Sequence, residues 1–251
     1  MSLLKTADML VENLKPGSLA RLGFGTQELH EINPRLVCCG ISDFGASSIF
    51  PGRPAFDTVV QTISGFMDVT RSQGAPTKAG ICAANIVGGE YGLLAILGAL
   101  EMRDQNGLGV ATDISMQDAA VSATASLRNV QASATQLDFL QCADGCVCIE
   151  HACASQSADA LRKAASTLKR STVVAEAATQ GITAVPVNTL SECATRSQTI
   201  VRQRIVEKPG DDGRAWPLLA SGLRLSYTPP PIRQPIGTLG EANAGMGAKA
   251  K

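Results

Sequence analysis

The run Leu36-Val37-Cys38-Cys39-Gly40-Ile41-Ser42 is apolar almost without interruption. A strand with one wet face alternates apolar and polar residues, so a continuous run marks a strand buried on both faces, as in a parallel sheet. Parallel strands need crossover connections, and the flanking sequence supplies them. Upstream, residues 7–12 read as a strand, 17–22 as a short helix and 27–32 as another. Downstream, helices are expected over residues 55–69 and 85–104, a strand over 110–115 and a further helix over 116–134. This alternation predicts an α/β fold, an incomplete Rossmann-like parallel-sheet large domain over residues 1–133. The helix over 85–104 carries Gly88, Gly89, Gly92 and Gly98, each costing about 1 kcal/mol against alanine. Such glycines point to close packing against another backbone or a ligand.

Near Ser133 the composition turns small and polar, which marks a domain boundary. Residues 134–195 are expected to form a reduced small domain, with a hairpin over 137–150 turning at Asp144-Gly145 and two helices within 158–180. Residues 196–251 read as an extended tail returning to the large domain, because from Pro209 onward proline and glycine are frequent and apolar runs few.

The 22 basic residues balance 22 acidic ones and the pI is near 6.7, so no global field would hold nucleic acid or an anionic membrane. No apolar run is read as approaching the roughly 20 residues that span a bilayer. Met1-Ser2-Leu3-Leu4-Lys5 lacks the hydrophobic core and cleavage site of a signal peptide. A soluble cytoplasmic protein, with neither nucleic acid nor membrane as partner, is therefore the expectation. Eight cysteines in 251 residues, two of them adjacent at Cys38-Cys39, read as reduced thiols rather than a disulfide scaffold.

The cluster Cys142, Cys146, Cys148, His151 and Cys153 has the ligand types of a zinc site. Its spacing lacks paired Cys-x-x-Cys knuckles, so buried small residues are the preferred reading and no metal is expected. With two histidines in the chain, a Ser-His-Asp or Cys-His mechanism has little material, and His30 reads as a bystander in a short surface helix.

Several segments carry a family resemblance. Val11-Glu12-Asn13-Leu14-Lys15-Pro16-Gly17, followed by a helix with Arg21, resembles the CoA-transferase family III pattern of a strand ending in Glu-Asn, a Pro-Gly turn and a helix with an Arg. Ser42-Asp43-Phe44-Gly45, Arg53-Pro54-Ala55-Phe56-Asp57 with Gln61, Gly107 to Ser115 with Asp118-Ala119, and the tail stretches Thr228-Pro229-Pro230-Pro231 and Leu239-Gly240-Glu241-Ala242-Asn243 continue it in order. The chain is therefore similar to the formyl-CoA and carnitine CoA-transferases (the CaiB/BaiF family). Family members are longer and begin with a strand-helix-strand segment ahead of the Glu-Asn match, so the first βα units are expected to be lacking here.

The resemblance implies transfer of CoA between an acyl-CoA and a carboxylic acid, with CoA a substrate rather than a permanently bound cofactor. It implies CoA contacts from Asn13, Leu14, Lys15 and Arg21 and from Phe56. The chemistry agrees: two cations for phosphates, N–H groups opened at a helix start by Pro16-Gly17, and an aromatic ring for adenine. The competing reading of Lys15 and Arg21 is an ordinary solvated helix end. The family nucleophile is an Asp that follows a Gly-hydrophobic-Pro stretch, and here Gly80-Ile81-Cys82-Ala83-Ala84-Asn85 sets Asn85 in its place and Cys82 in that of the Pro. A neutral amide cannot form the acyl anhydride that such an Asp forms, so a plain helix N-cap is the preferred reading of Asn85. Glu90 lies five residues on, about 140° around the helix, and is a poor substitute. Two alternatives stay open: a non-catalytic acyl-CoA-binding subunit beside an active homologue, and the 2-methylacyl-CoA racemase branch. Family members are intertwined dimers, so a homodimer, or a heteromer with a longer homologue, is expected.

Overall fold

The computed structural model describes residues 2–50, 55–128, 136–151, 156–210, 213–228 and 240–241. The chain divides into two compact units between Ala132 and Ser133.

The first unit runs β1 (Met9–Glu12), α1 (Ser18–Arg21), α2 (Thr26–Ile32), β2 (Val37–Ser42), α3 (Asp57–Ile63), α4 (Phe66–Val69), β3 (Arg71–Ser72), β4 (Ala75–Pro76), α5 (Ala83–Asn106), β5 (Ala111–Ser115) and α6 (Met116–Arg128). Its main sheet has the order β1-β2-β5 and is parallel throughout, with Met9 opposite Val37 and Cys38 opposite Ala111. The continuous apolar run is thus the central strand. Cys38 joins Leu29 and Leu36 in one core with Leu10, Leu19 and Phe24. On the other face Ile41 packs on Val60, Ala84, Met116 and Ala120.

α5 buries Ala83, Ala84, Gly88, Gly92, Ile96 and Ala99, a stripe spaced by threes and fours that lies on the sheet and α6. A Cβ on Gly88 would come 2.7 Å from the Met116 Cγ, and one on Gly92 would come 2.8 Å from the Ile41 Cδ1. Gly89 and Gly98 face open space, so close packing accounts for only two of the four glycines expected to serve it. The 24 residues of α5 are also long and apolar enough to cross a membrane by length and composition, contrary to the expectation that no run qualifies. The α/β packing gives the physical reason for that composition: a helix laid across a sheet needs an apolar face along its whole length.

The helix expected over 55–69 is two helices, because Gly65 adopts φ 82° and breaks it. The two-residue hairpin β3–β4 that follows was not expected. Residues 129–134 of the expected last helix lie outside the described residues.

The second unit contains β6 (Gln136–Cys142), β7 (Gly145–His151), α7 (Gln156–Ala165), α8 (Arg170–Thr179), β8 (Ala184–Val187), α9 (Leu190–Thr195), α10 (Ser197–Val201), β9 (Ile205–Pro209) and β10 (Ala215–Leu219). β6, β7 and β8 form an antiparallel sheet in that order, its turn at Ala143-Asp144 close to the one expected. Leu140, Val147, Ile149, Leu161, Val173 and Ala177 make its core. The segment expected as an extended tail folds locally instead, since β9 and β10 pair antiparallel. Residues 229–239 and 242–251, with most of the tail's family-like stretches, lie outside the described residues.

Candidate functional site

The three parallel strands end at one edge. The residue following each, Asn13 after β1, Asp43 after β2 and Met116 after β5, lines the same cavity of about 850 Å³. In α/β sheets, ligands bind outside the carboxyl ends of the strands, where chain directions open a crevice. Asn13, Leu14, Lys15, Arg21 and Phe56, the residues expected to meet CoA, all line this cavity, and so does Asn85. The structure therefore brings together all six residues singled out in the sequence.

Each is set by local structure. Asn13 donates from Nδ2 to the Ile41 carbonyl at 2.5 Å, and the Leu14 N–H donates to Glu12 Oε2 at 2.6 Å, which fixes the exit from β1. Gly17 adopts φ 77°, the left-handed conformation that turns the chain into α1. Arg21 donates to Ser18 Oγ at 2.8 Å, and neither Arg21 nor Lys15 forms an ion pair among the described residues, so both cations are exposed and available. The helix start itself offers less than expected. α1 is a single turn, and the Ser18 N–H already donates to the Lys15 carbonyl at 2.9 Å. Phe56 lines the cavity and is 67% exposed. Phe44 and Phe50, with centroids 5.1 Å apart, give the cavity an apolar wall.

Asn85 is not the helix cap. The N-cap of α5 is Cys82 and Asn85 is the third helical residue, exposed, its side-chain amide without a hydrogen bond among the described residues. The cap comes from another helix. Asp57 of α3, only 6% exposed, accepts from the Ala84 and Asn85 N–H groups at 3.0 and 3.3 Å through Oδ1. Its Oδ2 accepts from Gln61 Nε2 at 2.7 Å and faces Lys78 Nζ at 3.3 Å. Fully buried Gln61 also donates to the Ile81 carbonyl at 3.3 Å and accepts from the Ala79 N–H at 3.1 Å. Two side chains of α3 thus clamp residues 78–85 and place a negative charge on the α5 N-terminus, where the helix dipole favours it. Asp57 and Gln61 belong to the motif that carried the resemblance, but their spacing of four was not read as a clamp; a polar pair one turn apart on an otherwise core-facing helix is the signal that marks it.

Asp43 is the second cavity residue that the sequence left without a role. It is half-buried, and burial raises its carboxyl pKa, with its own backbone N–H pulling the other way. Its carboxylate forms no ion pair among the described residues.

Elsewhere the expected candidates separate from the site. His30 holds the Leu36 carbonyl at 3.2 Å, and Glu90 is exposed on α5 away from the cavity lining. In the cysteine cluster, Cys142 is buried, whereas Cys146 and Cys148 are half-buried on the face of β7 opposite Val147 and Ile149, so the expectation of buried residues holds for one of these three. Cys153 and the His151 side chain lie outside the described residues, and no group of metal-ligand side chains assembles among the described ones.

A sequence profile of CoA-transferase family III matches residues 1–149, more than half of the chain. This protein belongs to CoA-transferase family III. It is 38% identical over 124 residues to acetyl-CoA:oxalate CoA-transferase of Acetobacter aceti, an alignment covering 49% of this chain and 32% of that one. It is 26% identical to succinate–glutarate CoA-transferase of Agrobacterium fabrum, over 96% of this chain and 72% of the relative. The fold superposes on the crystal structure of a CaiB/BaiF family protein from Brucella suis with a TM-score of 0.87 and 25% identity, covering all of this chain and 77% of the other. The matched part is thus about a third of the length of the Acetobacter relative. Within the family fold, β1, α1, the clamp on α5 and the strand edge lie inside the profile match, so the cavity is built wholly from the family's own segment.

Proposed function

We propose that this chain binds an acyl-CoA in the cavity at the carboxyl edge of β1-β2-β5 and takes part in moving CoA between an acyl-CoA and a free carboxylic acid. One observation carries the reading: a single cavity joins Lys15 and Arg21, two cations without an ion pair among the described residues, to an exposed aromatic, an apolar wall and the first turn of α5. Lys15 and Arg21 meet the phosphates, Phe56 the adenine, and Phe44, Phe50 and Met116 the chain leading to the thioester beside Asn85. A volume of about 850 Å³ falls in the usual range for ligand sites. All seven described cysteines are unpaired, which supports a reducing, cytoplasmic setting.

Titration calorimetry with CoA and acetyl-CoA tests this. Micromolar binding is expected, weakened about tenfold, or ~1.4 kcal/mol, in Lys15→Ala and in Arg21→Ala. Absence of binding to the unaltered chain removes the reading.

A second reading, an acyl-CoA-binding subunit without turnover, is favoured by the amide at position 85. Turnover with acetyl-CoA and a panel of carboxylates, with and without a co-purifying partner, separates the two. The racemase branch finds less support, because His30 is committed to the Leu36 carbonyl and does not line the cavity. Association with itself or a longer homologue belongs to the same proposal, since α5 leaves Ile86, Leu93, Leu94 and Leu97 about half exposed on its outer side. A monodisperse monomer in light scattering at micromolar concentration contradicts it.

A further inference from the structure

Two loops that wall the cavity hang from one row of the sheet. Glu12 of β1 pairs with Gly40 of β2, and Gly40 pairs with Asp113 of β5, so the three residues lie side by side across the three strands. Residues in register on neighbouring strands share a face. A Cβ on Gly40 would come 3.1 Å from Glu12 Oε1, so the glycine leaves room for that carboxylate over the middle strand.

Each carboxylate accepts from the backbone of a different loop. Glu12 Oε2 takes the Leu14 N–H at 2.6 Å, at the start of the segment that carries Lys15 into α1 and Arg21. Asp113 Oδ2 takes the Ala46 N–H at 2.9 Å, from a position 67 residues away in the chain and in the loop that carries Phe44 and Phe50. For Ala46 to reach a residue level with Gly40, the chain doubles back after Ser42, and Gly45 makes the reversal at φ 81°. Two uncharged bonds steady the same loop: the Gly45 N–H donates to buried Ser42 Oγ at 3.0 Å, and the Gln117 N–H donates to the Asp43 carbonyl at 3.0 Å. An ionised acceptor holds a backbone N–H more strongly than these do. Neither Glu12 nor Asp113 lines the large cavity; both line a neighbouring one of about 330 Å³ that shares Leu14, Pro16, Gly17, Ser42 and Ala46 with residues of the large cavity. Either carboxylate can therefore act on a ligand there only through its loop.

We propose that Glu12 and Asp113 are positioning residues that divide the ligand between them. Glu12 sets the turn that brings Lys15 to the phosphates, and Asp113 sets the loop that brings Phe44 and Phe50 to the chain leading to the thioester. This rests on the reading above, that an acyl-CoA enters the cavity. The division follows from where each N–H lies: Leu14 adjoins Lys15, and Ala46 lies between Phe44 and Phe50. Loss of the Asp113 acceptor frees the aromatic wall and leaves Lys15 and Arg21 in place. Loss of the Glu12 acceptor displaces the phosphate site, on which every ligand of this class depends.

Calorimetry on the full chain tests the division with two probes: acetyl-CoA, and adenosine 3′,5′-bisphosphate, which keeps adenine and phosphates but has no chain leading to a thioester. Asp113→Ala is expected to weaken acetyl-CoA about fivefold and to leave the bisphosphate within about twofold, whereas Glu12→Ala weakens both about fivefold. Asp113→Asn and Glu12→Gln keep an acceptor oxygen and recover most of the loss, which a purely electrostatic role for the two charges would not allow. Gly45→Ala leaves the Asp113 carboxylate in place but strains the reversal, where its Cβ would meet Asp113 Oδ2 and Ser115 Cβ at 3.4 Å, so it reproduces the Asp113→Ala pattern even if that variant does not fold. Equal loss of both probes in Asp113→Ala and in Gly45→Ala, or no loss in either, overturns the division while leaving acyl-CoA binding in place. The same holds if the unaltered chain binds acetyl-CoA but not the bisphosphate. Failure of the unaltered chain to bind either probe overturns the division together with the reading beneath it.

Discussion

Two helix starts in this molecule are secured in opposite ways. α9 carries its cap in its own sequence: the Thr189 hydroxyl accepts from the Glu192 N–H at 3.2 Å, and Glu192 accepts from the Thr189 N–H at 2.7 Å. α5 has no side-chain cap of its own, and its first turn is held by Asp57, 27 residues earlier in the chain and on another helix. A local cap stabilises one helix; a remote cap also decides where that helix begins relative to its neighbours. The remote arrangement stands at the candidate site, where position matters, and the local one stands in the second unit, where it joins an ion-pair cluster of Glu192, Arg170 and Asp144.

The comparison is broken most severely by removing the remote cap. Asp57→Ala strands two N–H groups, the Gln61 amide and Lys78, and is expected to cost roughly 3 kcal/mol. Hydrogen exchange at the Ala84 and Asn85 amides accelerates in this variant, and CoA binding weakens with it; unchanged exchange would show that α5 is positioned by its packing alone. Thr189→Ala removes a local cap and costs about 1 kcal/mol, with exchange changed only in the first turn of α9.

The smallest effect is one of pH. Glu192 titrates near 2 in the folded chain, well below its ordinary 4.5, chiefly because Arg170 donates to it and then because the Thr189 N–H does. A depressed carboxylate stabilises the folded state above its unfolded pKa, and the contribution disappears as pH falls through the folded value. Acid titration between about pH 4.5 and 2 is therefore expected to weaken the second unit, and Glu192→Gln to remove that part of the pH dependence. A variant with the same acid profile as the unaltered chain would assign the acid sensitivity to other carboxylates.

The contrast between the two caps also explains how far the sequence could be read. The central strand announced itself, because a strand covered on both faces has no position at which water selects a polar residue. The Gly17 turn, the hairpin at Ala143-Asp144 and helices α2, α5, α7 and α8 followed from patterns that span only a few residues. The break at Gly65 was missed since its flanks are as helical as a continuous helix would be, and only the φ of 82° distinguishes it. Asn85 was read as a cap because Asn favours that position locally; it became the third residue of α5 because Asp57 met the backbone first.

By itself the sequence determined the alternation of the main strands and helices in the first unit, the burial of β2 and the membership of residues 1–149 in their family, since each is encoded in local periodicity or in a collinear motif. The tertiary structure alone decided that Asp57 is committed and Asp43 is not. Both are aspartates of the family-like motifs, and Gln61, one turn after Asp57, is only a local hint that does not name the N–H groups Asp57 meets. What separates them is which distant donors the fold brings within about 3 Å, as long-range packing sets those distances.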